Sequence, residues 1–366
     1  MSSTFTPIPP KAPPASTVGV YGWVRENLLS TPFNIAMTLL GIYLVYLTVP
    51  PFIEWAILTA DFAGTTQEEC VSGGACWVFV KERMPFFIYG FYPSEEYWRI
   101  DIMFLLIAVT FVPQFFPAFP FKKSFGIFAL TGLPLFSGIL MMGGVFGLES
   151  VETNKWGGLS LTIVLAYVGI VAALPFGILL ALGRRSSMPV IKTICVCFIE
   201  LWRGVPLISV LFMASVMLPL FLPEGMNFDK LMRALIGIVM FQSAYMAEVI
   251  RGGLQAIPKG QYEAAAALGL NYWKSMSFII LPQALKLVIP GIVNTFIALF
   301  KDTTLVLIIG LLDLLASTQA AITDPAWRNV STEGYLFVAF AFFVFCFGMS
   351  RYSLSLEKRL DTGHKR

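Results

Sequence analysis

The chain has 366 residues, 57% of them hydrophobic and only 13% charged, with a formal net charge of +3. Soluble chains carry about 25% charged residues, so an ordinary soluble enzyme is excluded, and the small charge imbalance argues against a nucleic-acid surface. A single histidine, His364, leaves no His-based metal site or catalytic triad, and no Gly-x-x-x-x-Gly-Lys-Ser/Thr loop is present to cradle a nucleotide phosphate.

Residues 1–30 are rich in Pro, Ser and Thr and have no apolar run near Met1, which predicts a disordered cytoplasmic arm and no cleavable signal peptide. A first membrane span is expected from Phe33 to Ile53, ending at Pro50-Pro51 near the interface. Residues 54–99 then form an acidic periplasmic loop containing Glu68, Glu69, Glu82, Glu95 and Glu96. Cys70 and Cys76 lie in it, where a small-loop disulfide is chemically permitted, although spacing alone leaves that pairing open. A second span, Ile100 to Phe119, is interrupted by Pro113 and Pro117 and stopped by Lys122-Lys123. A third, Phe125 to Leu148, precedes Glu149, Glu152 and Trp156, a typical interface residue.

From Gly157 the character changes. Gly158-Leu159-Ser160-Leu161-Thr162 opens a fourth span that reaches Leu182 and is closed by Arg184-Arg185. The fifth, Ile191 to Leu222, is too long for one straight crossing and contains Glu200, Arg203, Gly204 and Pro206, groups that face protein or water when placed in a membrane. Its Cys195-x-Cys197 pair reads as packing. The sixth span is Leu231 to Ile250, and after a polar loop the seventh runs from Pro282 to Phe300. Leu305 to Leu315 is short for a crossing and is expected as a helix within or just outside the membrane. The eighth, Tyr335 to Met349, ends in Arg351, Lys358 and Arg359. The fold class is therefore an all-α integral membrane protein with about eight transmembrane helices.

With the N-terminal arm inside, alternate crossings place Lys122-Lys123, Arg184-Arg185, the Arg251–Lys274 loop and the C-terminal tail on the cytoplasmic face. Glu68, Glu69, Glu149, Glu152, Glu224 and Asp324 fall outside, as the positive-inside rule requires. Both termini are expected in the cytoplasm.

The loop 251–281 holds Gln261-Tyr262-Glu263-Ala264-Ala265-Ala266-Ala267-Leu268-Gly269, a run of good helix formers closed by glycine. The spacing of Glu263, Ala264, Ala265 and Gly269 to Ile279 and Leu281-Pro282 closely resembles the EAA loop of the membrane-spanning subunits of binding-protein-dependent ABC importers. Upstream, Tyr245-Met246-Ala247-Glu248-Val249-Ile250-Arg251-Gly252-Gly253 resembles the polar amino-acid branch of those permeases. The resemblance implies a coupling helix that docks on a separate ATP-binding subunit, with ATP and Mg used there and no cofactor bound by this chain. It further implies a second, homologous permease subunit, a periplasmic amino-acid-binding protein, membrane lipid around the chain, no nucleic acid, and a bacterial inner-membrane location. Residues 157–360 resemble the minimal five-helix type I permease domain, and residues 31–156 an N-terminal extension with about three spans.

An amino-acid zwitterion crossing hydrocarbon needs replacements for its water. Glu200-Leu201-Trp202-Arg203-Gly204-Val205-Pro206 resembles the family's Arg-Gly-Thr-Pro segment, with Val205 in place of Thr, and Lys301-Asp302-Thr303-Thr304 its Lys-Asp-Thr-Ser motif. The expected substrate-path residues are Glu200, Arg203, Gln242, Tyr245, Glu248, Asn294, Lys301 and Asp302. Each has a structural alternative: Glu200 with Arg203, Glu248 with Arg251, and Lys301 with Asp302 are spaced to form local ion pairs. A competing reading, an ion-coupled secondary transporter or channel, needs an ion site for which Glu200, Glu248 and Asp302 are the candidates.

Overall fold

A computed structural model describes residues 18–116, 119–221, 223 and 228–360. Pro117, Glu224, His364 and the arm before Val18 lie outside the described residues. The chain divides into two compact units, one up to Val78 and one from Phe79 onward.

In the first unit a short helix, α1 (Gly19–Asn27), forms inside the expected arm, in a stretch free of proline. Thr31 then caps α2 (Pro32–Ile53) by accepting from the Asn34 amide at 3.1 Å. α2 is apolar all round and buries nothing within its unit, as a lipid-facing span does. It ends at Ile53, just past Pro50 and Pro51 as expected, and the chain runs on as a π-helical turn from Glu54 to Leu58. Thr59 closes the turn by donating its amide to Glu54 O at 2.9 Å.

The following loop is tied tightly. A Cys70–Cys76 disulfide closes it, with 5.6 Å between the Cα atoms, and the Ser72 hydroxyl and amide donate to Asp61 at 2.6 and 3.0 Å. These bonds hold the Asp61 carboxyl below its ordinary range, so their contribution is present above the unfolded pKa and is lost as pH falls through the folded one. Replacing Cys76 by Ser removes a small-loop constraint worth about 2 kcal/mol. Limited proteolysis between residues 60 and 76 is expected to accelerate in that variant, whereas an unchanged cleavage rate would show that the hydrogen bonds alone hold the loop.

The second unit continues α3 (Trp77–Tyr89) into α4 (Tyr97–Phe111), which stops in a 3₁₀ turn at Val112–Phe115 carrying Pro113. Lys122-Lys123 do not end a helix but open the next, because α5 (Lys122–Leu130) and α6 (Gly132–Met142) form the third expected span as a pair bent by 48°. Trp156 is buried in the core beside Met141 and Leu161 and is no interface anchor.

α7 (Gly158–Arg184) is the spine of the unit. Gly169, Ala173, Gly177 and Ala181 recur every fourth residue on its buried face, and such small side chains let helix backbones approach closely. A Cβ at Gly177 would lie 2.6 Å from Met246 Cγ. The fifth span is α8 (Pro189–Gly204) followed by α9 (Leu207–Phe212), its continuation bent from α8 by 105° at Gly204-Val205-Pro206. α10 (Lys230–Ala256), capped by Asp229 accepting from Met232 N at 2.9 Å, packs along α7.

Next come α11 (Lys259–Ala267), α12 (Tyr272–Ser275), a π turn at Met276–Ile280, α13 (Leu281–Leu287) and α14 (Ile289–Asp302). Leu305 to Leu315 is not one helix: a 3₁₀ segment, Thr303–Ile309, prolongs α14, and Gly310 at φ 70° ends it. α15 (Leu314–Ile322) starts there, capped by Asp313, and joins the start of α7 through Leu314 N donating to Thr162 Oγ1 at 3.0 Å. α16 (Ser331–Leu360) is the last helix.

Each expected span contains helix among the described residues, but the second leaves it after Phe115 and the third after Met142. Among the described residues five crossings are long and apolar enough on their own, two more are bent pairs, and α4 is 15 residues long. Beside an aromatic group of Phe79, Phe87 and Trp327, two buried apolar clusters stand out among the described residues. One gathers Ile100, Leu161, Leu165, Leu207, Ile238 and Leu299; the other gathers Ala181, Ile199, Met246, Ile250, Leu254 and Ile280 beside the α11–α13 segment.

Candidate functional site

The alanine-rich stretch forms α11, entered through Ile257-Pro258. Ala265 faces the protein, while Glu263, Ala264, Ala266, Ala267 and Leu268 are exposed, three alanines flanked by a carboxylate and by Leu268, which is 74% exposed. The helix ends in a Schellman motif: the Leu270 amide donates to Ala265 O at 3.2 Å and the Gly269 amide to Ala266 O at 2.9 Å, with Gly269 at φ 70°. Nothing lies within 4 Å of where a Cβ would sit on Gly269, so backbone conformation alone demands glycine there. Tyr262 fixes the inner face by donating its hydroxyl to Leu254 O at 3.2 Å. Leu281 and Pro282 open α13, Leu281 half-buried against the Ile250–Ile280 core and Pro282 exposed.

One helical turn before this loop lies a charge cluster. The Glu248 side chain is 15% exposed and receives three guanidinium groups. Arg251 donates to both of its oxygens at 2.9–3.0 Å, Arg184 lies 3.0 Å away and Arg203 3.7 Å. Glu200 pairs with Arg184 at 2.8 Å, not with its helix neighbour Arg203. Arg203 instead turns toward Glu248 and stacks over the Tyr245 ring at 5.6 Å. The cluster binds the ends of α7 and α8 to α10, and its three cations exceed its two carboxylates by one. An excess positive charge beside a half-exposed aromatic ring can receive a carboxylate, and Glu200, 55% exposed, can meet an ammonium.

The remaining expected residues are placed apart from this cluster. Gln242 is buried and donates its amide to Thr295 O at 2.7 Å, which makes it a tie between α10 and α14. Asn294 and Lys301, seven residues apart on α14, share an exposed face, and Asp302 is half-buried. No ion pair joins Lys301 to Asp302 among the described residues.

Arg184 is the residue that the sequence reading took only for a topology signal. Its partners lie on other helices, so no local spacing announces it.

Comparison with known proteins places these features in context. Residues 173–362 match the family model for the binding-protein-dependent transport system inner membrane component. The chain is 54% identical over 363 residues to the inner membrane amino-acid ABC transporter permease protein YhdY of Escherichia coli K12, covering 99% of both chains. It is 39% identical over 422 residues to the glutamate/glutamine/aspartate/asparagine transport system permease protein BztC of Rhodobacter capsulatus, covering 97% of each. A crystal structure of an amino acid ABC transporter with histidines is 32% identical at a TM-score of 0.49, covering 55% of this chain and 92% of that one.

Proposed function

The chain belongs to the binding-protein-dependent transport system inner membrane component family, and from that premise we propose that it is the permease subunit of an ATP-driven importer of polar L-amino acids. The observation that carries this reading is full-length similarity to an amino-acid ABC permease, with α11 and its glycine cap at the position of the EAA loop. The printed substrates of the BztC relative, glutamate, glutamine, aspartate and asparagine, suggest the substrate class.

In this reading the protein breaks no substrate bond, and a separate ATP-binding subunit hydrolyses ATP with Mg. α11 lies on the cytoplasmic face, its Glu263-Ala264-Ala265 segment docked on that subunit with Gly269 fixing the exit. Leu281-Pro282 at the start of α13 and the end of α10 carry its displacement into the bilayer. Since Glu248 joins α7, α8 and α10, those helix ends move as one body when the pathway alternates between its two sides. Arg203, Tyr245 and Glu200 form the polar lining nearest the cytoplasm, with Asn294, Lys301 and Asp302 on the α14 wall; Gln242 and Glu248 support these walls from behind. Residues 157–360 are the permease domain and 31–156 an N-terminal extension, with both termini cytoplasmic. A second homologous permease subunit and a periplasmic binding protein complete the assembly.

The substrate class is tested by uptake of a panel of radiolabelled amino acids in a strain expressing the complete operon. Acidic amino acids and their amides are expected to accumulate, with Arg203→Gln raising KM for them on the order of tenfold. Accumulation of cationic amino acids alone would overturn the assignment.

A further inference from the structure

A cavity of about 340 Å³ opens between the C-terminal end of α7 and the α11–α12 turn, at the small end of the range of ligand pockets. Its walls include Leu182, Leu254 and Met276, and no Asp or Glu lines it. Arg185 does line it. Unlike Arg184, which is fully engaged with Glu200 and Glu248, Arg185 has no carboxylate within ion-pair reach among the described residues, and its guanidinium rests over the Tyr262 ring at 5.8 Å. Tyr272 and Ser275 also line the cavity, and their hydroxyls bond to no protein group among the described residues.

One permanent cation and two hydroxyls without protein acceptors therefore converge on a recess with apolar walls. A group that only accepts hydrogen bonds and carries negative charge matches those donors, and an apolar tail matches the walls. We propose that this cavity binds a phosphate anion bearing an apolar tail, the chemistry of an acidic phospholipid headgroup or of a free organic phosphate. Tyr262 and Ala266 belong to α11 and Leu182 to α7, so a bound anion braces the docking helix against the spine of the permease. The consequence for transport rests on the importer reading; the binding itself does not.

The test uses the assembled, delipidated transporter and native mass spectrometry with three probes: short-chain phosphatidylglycerol, short-chain phosphatidylcholine and glycerol 3-phosphate. Phosphatidylglycerol is expected to be retained and phosphatidylcholine not, and Arg185→Gln is expected to cut retention on the order of tenfold. Tyr272→Phe, which preserves the ring, is expected to weaken it by a smaller factor. Glycerol 3-phosphate binding as tightly as phosphatidylglycerol overturns the proposal, because that anion has no apolar tail for the walls to hold. Retention unchanged in both variants, with unfolding midpoints equal to the parent, overturns the proposal. So does binding that appears only once the ATPase subunit is removed, because the cavity then receives a side chain of that subunit. ATP-driven uptake in membranes of phosphatidylcholine alone reports on the importer reading separately.

Discussion

Glu248→Gln is expected to lower the stability of the purified protein by about 2–4 kcal/mol and to abolish uptake. The carboxylate is 15% exposed and is the common partner of Arg184, Arg203 and Arg251. Its removal leaves three guanidinium groups close together with only Glu200 nearby. Losing one partner of a fully buried pair costs about 3–5 kcal/mol; the value here is lower because the arginines are 23–36% exposed and keep some water. Thermal unfolding of the solubilised protein measures the effect. Combining Arg203→Gln with Glu248→Gln is expected to recover part of the loss, since that arginine has no carboxylate to meet once Glu248 is neutralised. An unchanged midpoint in Glu248→Gln would contradict a structural role for the cluster.

Gly269→Trp is expected to reduce ATP-driven uptake by an order of magnitude or more while leaving membrane insertion and abundance intact. The position has φ 70° and open space around it, so the penalty comes from the left-handed backbone, about 1–2 kcal/mol for a residue with a side chain. That strain unwinds the Schellman end of α11 and misaligns its exposed alanine surface. Gly269→Asn separates backbone from bulk: asparagine tolerates this conformation and is expected to keep most of the transport. Parent-level uptake in Gly269→Trp would remove α11 from the energy-coupling path.

What the sequence made legible follows from the range of each interaction. Apolar runs and basic clusters are local, so the long apolar helices and the α11 loop could be read directly. The Gly204-Val205-Pro206 break was equally legible, because both its residues and its effect are local. Pro50-Pro51 were legible as the end of the first span, since α2 stops at Ile53, and what they did not announce is the π turn at Glu54–Leu58 that follows. Leu305–Leu315 misled because Gly310, one residue without a Cβ, divides an otherwise uniform apolar run. The charge cluster was half legible. Glu248 with Arg251 obeys the one-turn rule, whereas Glu200 and Arg203, equally well spaced, each find partners on other helices. Trp156 and Gln242 show the same limit: a polar-capable side chain at a span end or within a span reads as interface or pathway until the neighbouring helix is known.

The most direct test of the central claim is uptake of labelled glutamine or glutamate into proteoliposomes holding the complete transporter and its binding protein. Energy is supplied either as ATP on the α11 side or as an imposed ion gradient. The account predicts accumulation that requires ATP and the ATPase subunit and is indifferent to the gradient; accumulation driven by the gradient with no ATPase subunit present would contradict it.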